Sequence, residues 1–315
     1  MTKYASVLLL AILACSGARA GQSVDAAVRD LGDTDTQKRL AATDALLAAG
    51  ETARAALDAA AKSGNADVKG RAEMLLNALD VEPKLEKALS ALTAAKSLSC
   101  DLDVTRTKGA LKGHFSGHTD SARYLSEVKI PTPAGDIDMH IVADGTNVWS
   151  EWAQPAGEKV VQKFLAGTML KMGSSLHLNP VDCLRDVRAR YCFFEVRSEK
   201  AGGVESLVFE GTLKDGALDR QTKAIEELGG PAMARGMRAE QELAIRARVT
   251  FTKDALQKIE FIGTGGESRF ALTLSNTKLD VKLDESKFSY TPPKGPEIYD
   301  MEEQLRTTRE HDGAK

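Results

Sequence analysis

The residues best suited to acid–base or metal chemistry in this sequence are five histidines, and their spacing does not assemble a site. His114 and His118 are four residues apart, which would bring the two imidazoles together on a helix. The neighbouring residues alternate in the period-two pattern of a strand, so we expect the two rings to lie ~13 Å apart. No serine-hydrolase, zinc-protease, nucleotide-binding or calcium-binding motif occurs elsewhere. The sequence therefore predicts no catalytic residue, no metal site and no cofactor, and we expect that the protein is not an enzyme.

Composition narrows the class of protein further. A chain of 315 residues is long enough for two modest domains, and 43% hydrophobic with 28% charged residues is typical of a globular protein. The formal net charge of −3 and the aromatic fraction of 5% give no basic or base-stacking surface. Nucleic acid is therefore excluded as an expected partner.

The first 20 residues have the pattern of an export signal. Lys3 supplies the positive charge, an apolar run follows it, and Ala18-Arg19-Ala20 is a cleavage site that would leave Gly21 as the mature N-terminus. A lipoprotein signal is the alternative, because the four residues up to Cys15 approximate a lipobox. We expect an exported protein with no transmembrane span, periplasmic or, if Cys15 is lipidated, associated with the outer membrane.

Three cysteines follow the predicted signal. Cys183 and Cys192 lie on either side of an expected helix-to-strand turn and could form a disulfide in an oxidising compartment. Two buried thiols are the alternative. Cys100 lies on the apolar face of an expected strand, where it would pack as a small apolar side chain. No Cys-x-x-Cys pair or cysteine–histidine cluster indicates a zinc site.

The predicted mature chain begins with a helical region rich in alanine and leucine, residues 21–81. Three positions recur in it after similar aspartate-containing turns: Arg39, Ala42 and Leu46, then Lys69, Ala72 and Leu76. The recurrence resembles a HEAT-like repeat, and a helical bundle of similar composition is the alternative. A further helix is predicted to begin at Pro83 and to continue over 84–95.

From Leu98 onward the apolar period changes to two, which predicts an antiparallel sheet of short strands. The candidate strands are 98–106, 110–118, 122–130, 135–143, 146–152, 190–198, 204–213, 244–252, 256–263, 267–283 and 286–291. Two helical interruptions are predicted, at 164–188 and 218–242. The second contains Met233 and Met237, and we interpret it either as a mobile lid over an apolar ligand or as a solvated excursion.

Apolar side chains at alternate positions of these strands can lie together on one face of the sheet. Only a few helical segments are available to cover that face, so a hydrophobic cavity there is the expected ligand-binding site. Its candidate lining residues are Leu102, Val104, Leu111, Phe115, Met139, Ile141, Phe194, Phe209, Phe251, Phe261, Phe270 and Leu272.

A set of segments near the C-terminus and at the opening of the sheet forms a recognisable pattern. They are residues 256–261, 270–279, Leu283-Asp284, Phe288-Ser289-Tyr290 and 291–298, and at the opening residues 85–98, 113–115 and 142–149. This pattern resembles the outer-membrane lipoprotein-sorting (LolA-like) family. The resemblance covers about 85–298 and implies a half-closed antiparallel barrel around short helices, without catalytic residues, whose concave face holds acyl chains or another lipid. The helical region and the long insert at 218–242 depart from the family.

These observations predict an α+β protein with an antiparallel half-barrel sheet around short helices over 82–300. A small all-α HEAT-like module precedes the half-barrel, and a polar tail, 301–315, follows it. The expected function is exported, non-catalytic binding of a lipid or an acylated protein on the concave face. An alternative stays open, in which the half-barrel is a filled scaffold and the module at 21–81 recruits a protein partner in the cell envelope.

Overall fold

The computed structural model describes residues 23–107, 109–120, 122–153, 157–172, 178–241, 244–253 and 255–313. The predicted export signal, its cleavage site and Cys15 lie outside these ranges. The extent of the signal and the lipidation of Cys15 therefore stay predictions.

The first described elements are helices whose starts are fixed by side-chain caps. Ser23, Asp35 and Asn65 each accept a hydrogen bond from a backbone N–H in the first turn of a helix, as these residue types commonly do. The elements are α1 (Val24–Asp30), α2 (Thr36–Ala49), a 3-10 turn (Gly50–Ala53), α3 (Arg54–Ala60) and α4 (Ala66–Ala94). This region is helical as expected, and the HEAT-like repeat within it stays a prediction.

Helix α4 continues through Pro83, so the prediction that a new helix begins there is wrong. A proline inside a helix removes one backbone hydrogen bond. Packing compensates for that loss, because Val81, Leu85 and Leu89 are all buried. The predicted boundary between residues 81 and 82 falls inside this helix, and the division into domains stays a prediction.

The described strands form one open sheet of 12 strands. The order across it is β12-β6-β5-β4-β3-β2-β1-β11-β10-β9-β8-β7, and the pairing is antiparallel except between β12 and β6. This confirms the predicted α+β class. The strands are β1 (Ser97–Arg106), β2 (Gly109–His118), β3 (Arg123–Ile130), β4 (Ile137–Asp144), β5 (Asn147–Ala153), β6 (Lys159–Leu165), β7 (Tyr191–Ala201), β8 (Val204–Leu213), β9 (Arg246–Thr252), β10 (Ala255–Ile262), β11 (Ser268–Leu279) and β12 (Ile298–Asp300).

One predicted strand is wrong, and two observed strands at the sheet edge have no predicted counterpart. The segment predicted as strand 286–291 contains instead a 3-10 turn, Glu285–Phe288, begun by the side chain of Asp284. Strands β6 and β12 were not predicted. The sequence of β6 has adjacent valines and two lysines instead of clean alternation, and β12 has only three residues, too few to display a period.

Both predicted helical interruptions form helices that pack on the sheet or on each other. The first contains α5 (Ala166–Met172) and α6 (Pro180–Arg190), and the second is α7 (Ala217–Gln241). Helix α7 is broken at Gly230, with φ 85° and ψ 173°, directly before Pro231. Ile225 and Ala234 of α7 are buried, so the interpretation of this segment as a solvated excursion is wrong.

The segment predicted as a polar tail forms a helix, α8 (Met301–Gly313), which packs against α7 and β6. Leu305 is its buried anchor. A Cβ added at Gly229 of α7 would lie 3.0 Å from a methyl carbon of Leu305, so the two helices approach closely at a residue without a side chain.

The sheet has an inner face, which packs on the C-terminal half of α4 and on α6, and an outer face. The larger hydrophobic core lies on the inner face. A second, smaller core lies among α1 to α4 and includes only Cys192 from the sheet. Helix α4 contributes to both, through Leu75 and Leu79 at its start and Leu85 and Leu89 further on.

The predicted disulfide between Cys183 and Cys192 does not form, because β7 separates the two side chains. Cys183 belongs to the core on the inner face, whereas Cys192 packs among the N-terminal helices. All three described cysteines are buried thiols. Burial raises the pKa of Cys100 to about 12 and that of Cys192 to about 12.

Residues 280–297, here called the C-terminal strap, cross the outer face from the end of β11 to β12. Tyr290 of the strap stacks on Trp149, with ring centroids 5.3 Å apart, and its hydroxyl donates to Glu151 Oε2 at 2.6 Å. Glu285 accepts from Arg123 at 2.7 Å and lies 2.9 Å from His118. The Phe288-Ser289-Tyr290 motif therefore lies in a segment that is anchored to the outer face.

Candidate functional site

Ten of the twelve predicted lining residues lie in the core of the inner face. They are Leu102, Val104, Leu111, Phe115, Ile141, Phe209, Phe251, Phe261, Phe270 and Leu272. Their exposed fractions range from 0% to 7%. A side chain that lines a cavity large enough for a lipid would keep surface accessible to water, so around these residues the inner face is filled.

The filled part is closed by helices that are distant in sequence from the strands they cover. Leu85 and Leu89 of α4 and Leu184 and Val187 of α6 share one continuous core with the strands β7 to β11. The aromatic rings in it are in contact, for example Phe209 and Phe251 at 5.8 Å between centroids. We call this region, the inner face of β7 to β11, the filled half.

The other two predicted residues are half-buried, for different reasons. Strand β7 has a bulge between Phe193 and Glu195, which puts Phe193 in the core and leaves Phe194 out of it. A period-two pattern cannot anticipate a bulge, because the extra residue changes the face of the residues beside it. Met139 on β4 lies at the margin of the core and packs against it.

Met139 belongs to a row of apolar side chains that the structure leaves partly open. The strand register aligns Val128, Met139, Trp152 and Val160 across β3, β4, β5 and β6. Val128 is buried and the other three are half-buried. We call the inner face of β3 to β6, which includes this apolar row, the open half.

Sequence reasoning missed Trp152 and Val160 as site residues. Alternation within the predicted strand 146–152 already placed Trp152 on the same face as the core residue Val148, so a usable sequence signal existed for it. No comparable signal existed for Val160, because the strand that carries it was not predicted.

A polar row lies next to the apolar row, two residues along each strand. The register aligns Ser126, Ile141, Ser150, Gln162 and Tyr299 across β3, β4, β5, β6 and β12. Ser126 and Ser150 are buried, whereas Gln162 and Tyr299 are half-buried. Hydrogen-bonding side chains therefore extend from the β12 edge into the interior, interrupted at β4 by Ile141.

The inner end of the polar row is next to the start of α6. Ser126 Oγ donates to the carbonyl of Leu178 at 3.4 Å. Asn179 caps the helix, because its Oδ1 accepts from Val181 N at 2.9 Å and from Asp182 N at 3.4 Å. Asn179 is 0% exposed, and its Nδ2 has no hydrogen-bond partner among the residues that the structure describes. A buried amide donor without an acceptor is costly and therefore uncommon in native proteins.

The outer end of the polar row meets a surface pocket of about 470 Å³ beside the β12 edge. The pocket is lined by residues 157–160, 295–297 and Tyr299. Glu297, which accepts a hydrogen bond from Tyr299, and Glu158 are its acidic groups, and both raise the pKa of the Tyr299 phenol. Lys159, the one basic residue of this lining, donates to Glu151 at 2.7 Å.

Methionines are concentrated around the inner face. Within the described part of the chain, five methionines pack in or against its core: Met139, Met169, Met233, Met237 and Met301. Met233 and Met237 lie on the part of α7 that follows the break at Gly230, and both are half-buried. The unbranched thioether side chain adapts to apolar surfaces of different shape.

Helix α7 is held at several points outside the core. Arg309 of α8 donates to the carbonyl of Glu227 at 3.0 Å. Arg238 pairs with Asp219 at 2.7 Å within α7, and Asp219 also accepts from Thr36 of α2 at 2.8 Å. The helix is therefore in contact with both the C-terminal helix and the N-terminal helical region.

Within the described ranges, no three histidine, cysteine or acidic side chains converge in a way that could hold a metal ion. None of the helices in the same ranges is long and apolar enough to cross a membrane.

No protein-family model and no curated protein matches this chain. Among solved structures it is similar to an uncharacterized conserved protein from Thermus thermophilus, with a TM-score of 0.39 and 8% identity over 71% of this chain and 98% of that one. It is also similar to MucB in the MucA/MucB complex from Pseudomonas aeruginosa, with a TM-score of 0.36 and 10% identity over 67% and 61% of the two chains.

A third similar structure is an outer membrane lipoprotein-sorting protein domain from Vibrio parahaemolyticus. The TM-score is 0.30 and the identity 10%, over 66% of this chain and 94% of that one. Identity and TM-score are low in all three comparisons, so they say nothing about a ligand or a partner of this chain. Its own geometry defines the candidate site, which is the open half of the inner face with its apolar and polar rows.

Proposed function

We propose that this protein is an exported, non-catalytic binding protein for acyl chains, carried by free lipids or by acylated proteins of the cell envelope. The observation that carries the proposal is the half-buried apolar row of Met139, Trp152 and Val160, directly beside the buried core of the inner face. An apolar row on the inner face of a sheet must be shielded from water, and an acyl chain can shield it because the chain is itself apolar.

The energetics favour this occupant over small polar ligands. Each buried methylene of an acyl chain contributes ~0.8 kcal/mol before the cost of association. The methionines around the face can follow the shape of a flexible chain without a fixed pocket.

In this proposal α7 is the adjustable part of the site. Its break at Gly230 and Pro231 separates the segment with Met233 and Met237 from the preceding turns. That segment can shift while Ile225 keeps the first part of the helix in its buried position. The role predicted for it as a mobile lid is thus retained as part of the proposal.

The two tryptophans of the chain offer a direct test, because they lie on opposite faces of β5. Trp152 is on the inner face in the apolar row, and Trp149 is on the outer face under Tyr290. We would titrate a brominated fatty acid and its glycerol monoester, since bromine quenches only indole rings that it contacts. In the Trp149→Phe variant either probe should quench the remaining tryptophan, and in the matched Trp152→Phe variant neither should.

Quenching in both variants, or in neither, would contradict acyl-chain binding at the open half. Mass spectrometry of organic extracts of the purified protein is an independent measurement, in which we expect a co-purifying lipid.

A second candidate function is a protein-interaction module of the envelope with the barrel as a filled scaffold and residues 21–81 as the contact region for the partner. The filled half favours it, because Phe209 and Leu272 have no exposed surface, and neither has Phe115 on β2. The tryptophan experiment separates the two candidates, since a scaffold predicts no quenching of Trp152.

A further inference from the structure

We infer that the polar row selects acyl chains whose polar end is an uncharged ester or amide, as in an acylglycerol, over free fatty acids. The inference rests on the proposed function and names the ligand class of the same site. It is carried by the alignment of Ser126, Ser150, Gln162 and Tyr299 beside the apolar row, and by the buried amide of Asn179 at its inner end.

The two rows together match the shape of an amphiphile. Side chains two residues apart along a strand lie about 7 Å from each other, so an ester group on the polar row leaves its chain within reach of Met139 and Trp152. Neighbouring strands are ~4.8 Å apart, which gives a polar row of roughly 19 Å from Ser126 to Tyr299. A glycerol ester has hydroxyl and carbonyl groups that can use several of these positions.

Asn179 calls for a hydrogen-bond acceptor on the ligand. Its Oδ1 is committed to the backbone of α6, so only the Nδ2 donor is left for a ligand. A donor requires an acceptor, and the carbonyl oxygen of an ester or amide is an acceptor that carries no net charge. An ester carbonyl that reaches the inner end of the row would supply the missing partner of this group.

Charge at the outer end of the row disfavours a carboxylate. Glu158 and Glu297 line the pocket at the β12 edge, and Lys159 is held by Glu151. An ionised fatty acid would pass two like charges and then lose its hydration. Burial of a carboxylate without a cation is among the largest penalties in protein interiors. The uncharged ester avoids both costs.

The experiment compares decanoate with its glycerol monoester, monodecanoin, by calorimetric titration of the full chain at neutral pH. We expect monodecanoin to bind at least about tenfold more tightly, because the carboxylate has no cationic partner in the row.

Three variants test the individual groups. Asn179→Ser keeps an oxygen that caps α6 and removes the amide donor, and Ser150→Ala removes a hydroxyl from the middle of the row. Each should weaken monodecanoin about fivefold to tenfold and leave decanoate unchanged. Ser116→Ala, on the outer face of β2, is the matched control and should change neither. Gln162→Leu at the half-buried part of the row provides a test that does not depend on a buried position.

The outcomes separate this inference from the proposed function. Equal affinity for the two ligands, or variants that weaken both alike, would overturn the selection of an uncharged end while acyl-chain binding stands. Binding of neither ligand would overturn both. Preference for monodecanoin that is lost in Asn179→Ser and Gln162→Leu, with thermal melts unchanged, is the result we expect.

Discussion

Apart from β6, the strands of both halves of the inner face alternate in sequence, and the two halves differ in what covers them. In the filled half, Phe209, Phe251 and Leu272 are at most 1% exposed under α4 and α6. In the open half, Met139, Trp152 and Val160 are half-buried beside a row of hydroxyl and amide side chains. Burial on one side stabilises the fold, whereas partial burial on the other leaves apolar surface for a ligand.

An inward apolar residue is therefore not by itself a binding residue. Ten predicted cavity residues form the structural core, and the partly open surface is found where the sheet carries mixed polar and apolar rows. Binding surface and core must therefore be separated by measurements that distinguish loss of stability from loss of uptake.

A charge placed in the filled half should reduce the stability of the fold more than any other change considered. Leu272→Glu puts a carboxylate between Val104 and Ile259 on the neighbouring strands, where it has no solvent. Desolvation costs several kcal/mol, comparable with the stability of a whole domain, so we expect no cooperative thermal transition. Met139→Glu is the matched control in the open half and should cost only about 1–2 kcal/mol while it abolishes acyl-chain uptake. Similar melts for both variants would contradict the difference between the halves.

The next effect concerns the helices behind the filled half. Lys214 Nζ donates to Asp44 Oδ1 at 2.9 Å, and both side chains are about one-tenth exposed or less. Asp44→Asn leaves the ammonium group of Lys214 buried without its carboxylate partner. We therefore expect the free energy of unfolding, measured in urea, to fall by about 3 kcal/mol. Asp33→Asn removes the exposed pair with Lys38 and is the control. A loss no larger than that of the control would mean that the helical region is only loosely attached.

Acid should weaken a neighbouring contact of the helical region, in which Asp215 pairs with Arg39 and Arg71. Burial raises the pKa of Asp215, but hydrogen bonds from Arg71 and Arg39 outweigh it, so the pKa lies below the usual value of 3.8. A depressed pKa contributes stability above the unfolded-state value, and that stability is lost as the pH falls through the folded-state value. The free energy of unfolding should therefore decrease between about pH 5 and pH 3. The decrease should be smaller in Asp215→Asn, and an equal decrease would exclude this carboxylate as a contributor.

The last effect concerns the reactivity of the cysteine thiols, which can be measured without changing the stability of the protein. In a Cys15→Ser background, Cys100, Cys183 and Cys192 should resist a thiol reagent in the folded protein, because all three are buried. In urea without reductant all three should be labelled. Labelling of Cys100 alone in urea would indicate a disulfide between Cys183 and Cys192, contrary to the structure. Rapid labelling of the folded protein would contradict the burial of the three thiols.

Much of the fold was accessible from the sequence because local rules act within single elements. The period-two pattern located most strands within a few residues, and both predicted interruptions, at 164–188 and 218–242, form helices. The strand β6 escaped because its pattern does not alternate, and Pro83 was taken as a helix start because tertiary packing overrides the local cost of a proline.

Alternation in the sequence assigns most strand residues to the inner or the outer face, with exceptions at the β7 bulge beside Phe194 and in the unpredicted strand of Val160. Which inward side chains are core and which are open to a ligand is decided by tertiary packing. That division depends on where α4 and α6 pack, and on the register that aligns Ser126, Ser150, Gln162 and Tyr299 from strands far apart in the chain. Alternation specifies a face but contains no information about what covers it, because the cover comes from distant segments.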